Sequence, residues 1–171
     1  MTQDSNIAPI RILFVCMGNI CRSPAAEGVF RHRIQELGKH GQIDCDSAGT
    51  IHYHAGSSAD PRMRQAAGAR GYDLTSTARG FVTKDFEHFD WIIVMDDENH
   101  RDIIGMAKDE NEIRKVRRFS DWVDIPNVSQ VPDPYYGGER GFDHVLDIIE
   151  NGIEPLLHWA IEGDAVSRRI T

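Results

Sequence analysis

Cysteine is scarce in this chain: three among 171 residues, at positions 16, 21 and 45. An odd number in no metal-like spacing argues against a cysteine-built metal site and points to a reducing compartment, so the protein is read as cytoplasmic. Apolar runs of membrane-spanning length are also missing. Residues 1–9 lack the basic-then-apolar order of a secretion signal and are expected to form a polar tail. Positive charge is in deficit, with 19 Lys and Arg against 27 Asp and Glu and a net charge of −8. That balance argues against a general nucleic-acid or membrane-surface binder, and any anionic ligand must be drawn to a local positive site. There is no internal repeat, low-complexity tract or second domain. One domain over residues 10–163 is expected, long enough for a real core, with a second tail at 164–171.

What is present is concentrated between Arg11 and Pro24. Ile12-Leu13-Phe14-Val15 reads as a buried strand. It ends at Cys16, and the loop that follows carries Gly18 and Asn19, which tolerate unusual backbone angles. Ser23-Pro24-Ala25-Ala26-Glu27 then reads as a helix start, with Ser at the cap and Pro in the first turn. Backbone N–H groups of such a loop can converge on one point, and the helix N-terminus adds partial positive charge there. Arg22 adds a planar fork of donors matched to two phosphate oxygens. A phosphate or other oxyanion is therefore expected at the loop centre. The same field stabilises a thiolate at Cys16, and a thiolate facing a phosphate ester is a nucleophile for phosphoryl transfer. The plainer alternative is a buried structural cysteine beside a surface arginine.

The rest of the chain alternates helices and strands. Residues 24–37 carry Ala26, Val29, Phe30, Ile34 and Leu37 at helical spacing, with His32 on the solvated face. A short strand is expected over Gln42–Cys45, with Cys45 a small strand residue, and a helix from Asp60-Pro61 to Arg70. Phe89–Met95 is a near-continuous apolar strand, as when both faces are covered. Further expectations are a helix over Glu98–Ala107, a short strand at Val116–Phe119 and a last helix over Phe142–Ile161, kinked at Pro155. This order gives an α/β domain with a mainly parallel sheet. In such sheets ligands bind beyond the carboxyl ends of the strands, which puts Asp96 at the same edge as Cys16; a helix-capping role for Asp96 is equally open. Arg62, Arg64 and Arg70 read as solvated charges, with Arg62 near enough in sequence to reach a cleft. The basic run from Arg114 to Arg118 reads as a solvated edge. His52 and His54 lack a third ligand nearby and make a weak metal signal. The long loop over residues 121–141 is of a length that is often functional, and it holds Asp133-Pro134-Tyr135-Tyr136. Asp133 is either a turn residue before proline or a proton donor for a departing alcohol or phenol.

Val15-Cys16-Met17-Gly18-Asn19-Ile20-Cys21-Arg22-Ser23-Pro24-Ala25-Ala26-Glu27 closely resembles the signature of the low-molecular-weight protein tyrosine phosphatases. The resemblance recurs at Asp46-Ser47-Ala48-Gly49-Thr50, at Ala78-Arg79, at Phe89–Asp96 and at Asp133–Gly137, and spans roughly residues 10–160. It implies a four-stranded, doubly wound, flavodoxin-like sheet of order 2-1-3-4. It also implies a phosphotyrosine and aryl phosphate hydrolase working through a cysteinyl-phosphate, with no metal or cofactor. In that reading Cys16 is the nucleophile, Arg22 and the loop residues Met17, Gly18, Asn19, Ile20 and Cys21 hold the phosphate, and Ser23 stabilises the thiolate. Asp133 is the acid, Asp96 steadies the arginine or its loop, and Ser47 supports Asn19. Tyr53, Tyr135 and Tyr136 wall the cleft, the last two being candidates for phosphorylation themselves. The resemblance further implies a phosphotyrosine protein as partner, such as a tyrosine kinase. It leaves Cys21 either as a disulfide partner for Cys16 or as a packing residue. Ser76 stands where many relatives carry histidine, so the polar contacts there are expected to differ. Arsenate reductases share the fold and first loop but need cysteines further downstream, and none follows Cys45. A non-catalytic phosphate-binding module is the remaining alternative.

Overall fold

A computed structural model describes residues 7–135 and 137–170. Four parallel strands form one sheet of order β2-β1-β3-β4. They are β1 (Ile10–Cys16), β2 (Ile43–Gly49), β3 (Trp91–Val94) and β4 (Val116–Arg118). Among the described residues six α-helices connect and cover them: α1 (Arg22–Glu36), α2 (Pro61–Ala69), α3 (Asp85–His88), α4 (Asp97–Ile104), α5 (Glu110–Arg114) and α6 (Glu139–Ile170). The order and the parallel pairing are those implied by the resemblance.

The sheet is doubly wound because β1 is apolar on both faces. Ile12, Phe14 and Cys16 point into a core shared with α1 and α6, where Phe30, Ile149 and Leu156 are also buried. Leu13 and Val15 point the other way, into a smaller core with Phe81, Phe86, Phe89 and Ile103. This two-sided burial explains the hydrophobic runs at residues 12–15 of β1 and Trp91–Val94 of β3. Phe14 packs edge-on to Phe30 at 5.4 Å between ring centroids, and its truncation to Ala removes about 3–5 kcal/mol of stability.

Several element boundaries differ from expectation. β2 continues through Ser47 to Gly49 because its whole length pairs with β1, up to Cys16 opposite Gly49. The last helix starts earlier and ends later than the apolar stripe marks, with Pro155 inside it. A helix can run on past its buried stripe, since polar residues there need only the backbone ladder. The charged residues read as solvated also have partners. Arg70 ties α2 to α6 through Asp143, Asp147, Glu150. Arg117 lies over Trp91 and Trp159, and Arg118 pairs with Asp97 at 2.9 Å.

Candidate active site

The loop between β1 and α1 is built around Asn19. This residue has a φ of 56°, in the left-handed region that asparagine tolerates better than most. Its side chain, 1% exposed, is held at both ends. Its Oδ1 accepts the Arg79 backbone N–H at 3.0 Å, while Nδ2 donates to Ser23 Oγ at 2.8 Å and to Ser47 Oγ at 2.9 Å. Ser47 Oγ in turn donates to Glu27 Oε1 at 2.7 Å. The end of β2 lies hard against this loop: a Cβ at Gly49 would stand 2.7 Å from the Met17 carbonyl oxygen, so only glycine fits.

Ser23 is not the helix cap. α1 begins at Arg22 with Cys21 in the cap position, and no side chain caps it. The Ser23 hydroxyl is instead 3.0 Å from Cys16 Sγ. A capping side chain would have occupied the leading N–H groups of α1; with none, they stay open to an anion in front of Cys16.

Arg22 is 2% exposed. Its Nη1 donates to Asp96 Oδ2 at 2.5 Å and to the Val131 carbonyl at 3.0 Å, and its Nη2 lies 3.6 Å from Asp133 Oδ2. Burial alone would lower the pKa of this guanidinium, but Cys16, Asp96 and Asp133 together hold it above the ordinary value. Asp96 does both things read for it: Oδ2 binds Arg22, while Oδ1 accepts the Asn99 N–H at 2.7 Å and caps α4. The loop that carries Asp133 is fixed to the end of the sheet by Val131 N–H on the Met95 carbonyl at 2.8 Å.

These groups surround a cleft of about 40 Å³ lined by Cys16, Met17, Gly18, Ile20, Cys21, Arg22, His54, Asp133 and Tyr135. Asp133, with its side chain 35% exposed, accepts the Tyr135 N–H on Oδ1 at 3.0 Å. Tyr135 is backed by Arg62, whose guanidinium sits 5.4 Å from its ring centroid and pairs with Asp60 at 2.9 Å. Tyr53 is 85% exposed and outside the lining. The wall expected from it is formed by the next residue, His54, which lines the cleft and whose ring is 6.2 Å from that of Tyr135 and edge-on to Tyr53 at 4.9 Å. Tyr136 lies outside the described residues.

Cys16, Cys21 and Cys45 are free thiols, all buried. Burial, and then the Asp60 carboxylate, push the Cys21 thiol far above its ordinary value. Burial also raises the Glu27 carboxyl above the usual glutamate range, with Ser47 opposing. Ser76 opens on a separate polar cavity of about 260 Å³ shared with Glu27 and Arg31.

Sequence reasoning missed three participants. His54 reads from sequence only as a weak metal ligand, and in the irregular loop after β2 no period tells which of Tyr53 and His54 faces inward. Glu27 was counted as part of a motif and given no task. The Val131 carbonyl carries no signal at all, because it is backbone.

A family model described as "Low molecular weight phosphotyrosine protein phosphatase" matches residues 11–168. A low molecular weight protein-tyrosine-phosphatase of Streptomyces coelicolor is 39% identical over 162 residues, covering 91% of this chain and 98% of its own. The crystal structure of an Entamoeba histolytica protein tyrosine phosphatase with Hepes in its active site superimposes with a TM-score of 0.87 at 43% identity, over 91% of this chain and 99% of that one. Bacillus subtilis YfkJ superimposes with a TM-score of 0.85 at 36% identity, over 93% and 98% of the two chains. With a thiol, a clamped arginine and a carboxylate gathered at the carboxyl edge of a 2-1-3-4 sheet, and with relatives matched over nearly their full length, this chain belongs to the low molecular weight phosphotyrosine protein phosphatase family.

Proposed function

We propose that the protein hydrolyses phosphotyrosine in proteins, and simple aryl phosphates, by two in-line displacements at Cys16. The observation that carries this reading is the convergence of Cys16, Arg22 and Asp133 on one cleft walled by His54 and Tyr135. The cleft is small and has the rings of His54 and Tyr135 in its lining, which offers a phenyl ring flat surface to lie against.

In the first step the Cys16 thiolate attacks phosphorus, and the bond to the phenolic oxygen breaks. Open N–H groups of the loop and the fork of Arg22 hold the equatorial oxygens as charge spreads over them. Asp133, as the carboxylic acid, gives its proton to the leaving phenolate. A cysteinyl-phosphate remains. Water then attacks that phosphorus, Asp133 takes up its proton, and the phosphorus–sulfur bond breaks to return the thiolate. Ser23, 3.0 Å from the sulfur, favours the thiolate by hydrogen bonding in both steps. Arg22 and the loop amides supply the positive field, so the reaction scheme calls on no metal. The physiological substrate is a phosphotyrosine protein, with a tyrosine kinase among the candidates. Three free thiols fit a reducing compartment, and the cytoplasm is the proposed location.

The test is hydrolysis of a phosphotyrosine peptide and a phosphoserine peptide in EDTA, by wild type and Cys16→Ser. Cleavage of the first alone, lost in the variant, is expected. Cleavage of neither would favour a non-catalytic phosphate-binding module.

A further inference from the structure

Behind the loop runs a chain of four buried polar side chains, Glu27, Ser47, Asn19 and Ser23, whose hydrogen-bond directions follow from the donor and acceptor chemistry of their neighbours. A carboxylate can only accept, so Ser47 spends its single proton on Glu27 at 2.7 Å. Ser47 can then offer only a lone pair to Asn19, 2.9 Å away, and the group facing it must be the amide NH₂. The Arg79 N–H, which can only donate, demands the amide oxygen on the other side at 3.0 Å. The second amide proton goes to Ser23 at 2.8 Å. Ser23, already accepting, keeps its own proton to give: the sulfur of Cys16 at 3.0 Å takes it once that sulfur is deprotonated, with the Ala48 carbonyl a longer alternative at 3.4 Å.

We propose that Glu27 is a positioning residue for the reaction: by taking the proton of Ser47 it fixes the Asn19 amide in the orientation that leaves Ser23 donating to Cys16. With Glu27 in place, a flipped amide sets oxygen against the Ser47 lone pairs and NH₂ against the Arg79 N–H, two mismatches. Without it, Ser47 is free to donate to the flipped oxygen, and only the mismatch at Arg79 remains. In the flipped state the amide oxygen also faces Ser23 and draws its proton away from the sulfur. Arg31, 3.7 Å from Glu27, sits on the other carboxylate oxygen and leaves the first to Ser47. Burial of Glu27 away from the cleft means that it acts without touching substrate.

The inference rests on the phosphatase reading, and it is tested on the full chain with para-nitrophenyl phosphate, measuring kcat and KM alongside a thermal melt. Glu27→Ala is expected to lower kcat about tenfold, the scale of one hydrogen bond to a charged group, with KM within about twofold. Glu27→Gln keeps an oxygen that can accept from Ser47 and is expected to stay within about threefold of wild type. In a Ser23→Ala background, Glu27→Ala should cost less than about twofold more, because the two act through one contact. Should Glu27→Ala lose its melting transition, Ser47→Ala carries the same measurement, with the same fall in kcat expected. An unchanged kcat, a Gln variant as slow as the Ala variant, or a full tenfold loss that persists without Ser23 would each overturn the assignment. A wild-type protein lacking Cys16-dependent hydrolysis would overturn the phosphatase reading and this inference together, and is recognised before any Glu27 variant is made.

Discussion

The two halves of the site are made in opposite ways. The loop from Cys16 to Ser23 is one short stretch, buried, and held by side-chain hydrogen bonds to β2 and to the segment at Arg79. The Asp133 loop arrives more than a hundred residues later, is largely exposed, and is secured through Val131, Arg22 and its own Tyr135 N–H. A rigid anion cradle suits charge that must be met by preorganised donors. The proposed role of Asp133, a carboxyl group giving and taking a proton where a substrate enters and a product leaves, suits a more open segment. Arg22 is the joint between the two, since one guanidinium touches Asp96, the Val131 carbonyl and the neighbourhood of Asp133.

This contrast can be broken or sharpened by substitution. Cys16→Ser should abolish turnover, by roughly 10⁴-fold or more in kcat, while phosphate still binds by equilibrium titration. Arg22→Lys should cost on the order of 10³-fold in kcat/KM, because a point charge replaces a fork and the half-buried Asp96 loses its partner. Asp133→Ala should slow esters of poorly acidic phenols by about 10²-fold or more and nitrophenyl esters much less; an equal loss across a leaving-group series would remove Asp133 from the acid role. His54→Ala should raise KM for aryl phosphates by about threefold to tenfold, the worth of one aromatic contact, and leave binding of inorganic phosphate unchanged. The smallest effect lies outside the cleft. Asp60 caps α2 by accepting the Arg62 N–H at 2.8 Å, and its pair with the Arg62 side chain holds its carboxyl below the ordinary value. Because the folded value is the lower one, this stability is present above the ordinary aspartate value and is lost as pH falls through the folded one. Asp60→Ala should cost about 1 kcal/mol near neutral pH and flatten the acid limb of a melting-temperature curve.

The same contrast explains what could be read beforehand. A strand that ends in cysteine, a loop with asparagine and an arginine at a helix mouth form a local arrangement, and local geometry follows from local sequence. Two strands with apolar runs, β1 and β3, in a chain that alternates strands and helices likewise pointed to a mainly parallel sheet, though its order came from resemblance alone. Asp133 is a different case: nothing in Asp-Pro-Tyr-Tyr says that it meets Cys16, so chain separation hid it. Ser23 illustrates a competition, since a hydroxyl at a helix start satisfies the rule for a cap yet is spent instead on the sulfur of Cys16. Tyr53 and His54 show the limit in loops, where no period of two or of 3.6 tells inward from outward.

Arg22 has one more consequence, for the growing chain. Its partners Asp96 and Val131 lie 74 and 109 residues further on, so the cradle at the amino-terminal end is synthesised early and has its arginine unclamped until the carboxyl-terminal third has emerged and docked. A ribosome-bound or truncated product can therefore contain the whole phosphate loop and still be idle, and catalytic competence arrives with the last part of the fold rather than with the segment that bears the nucleophile.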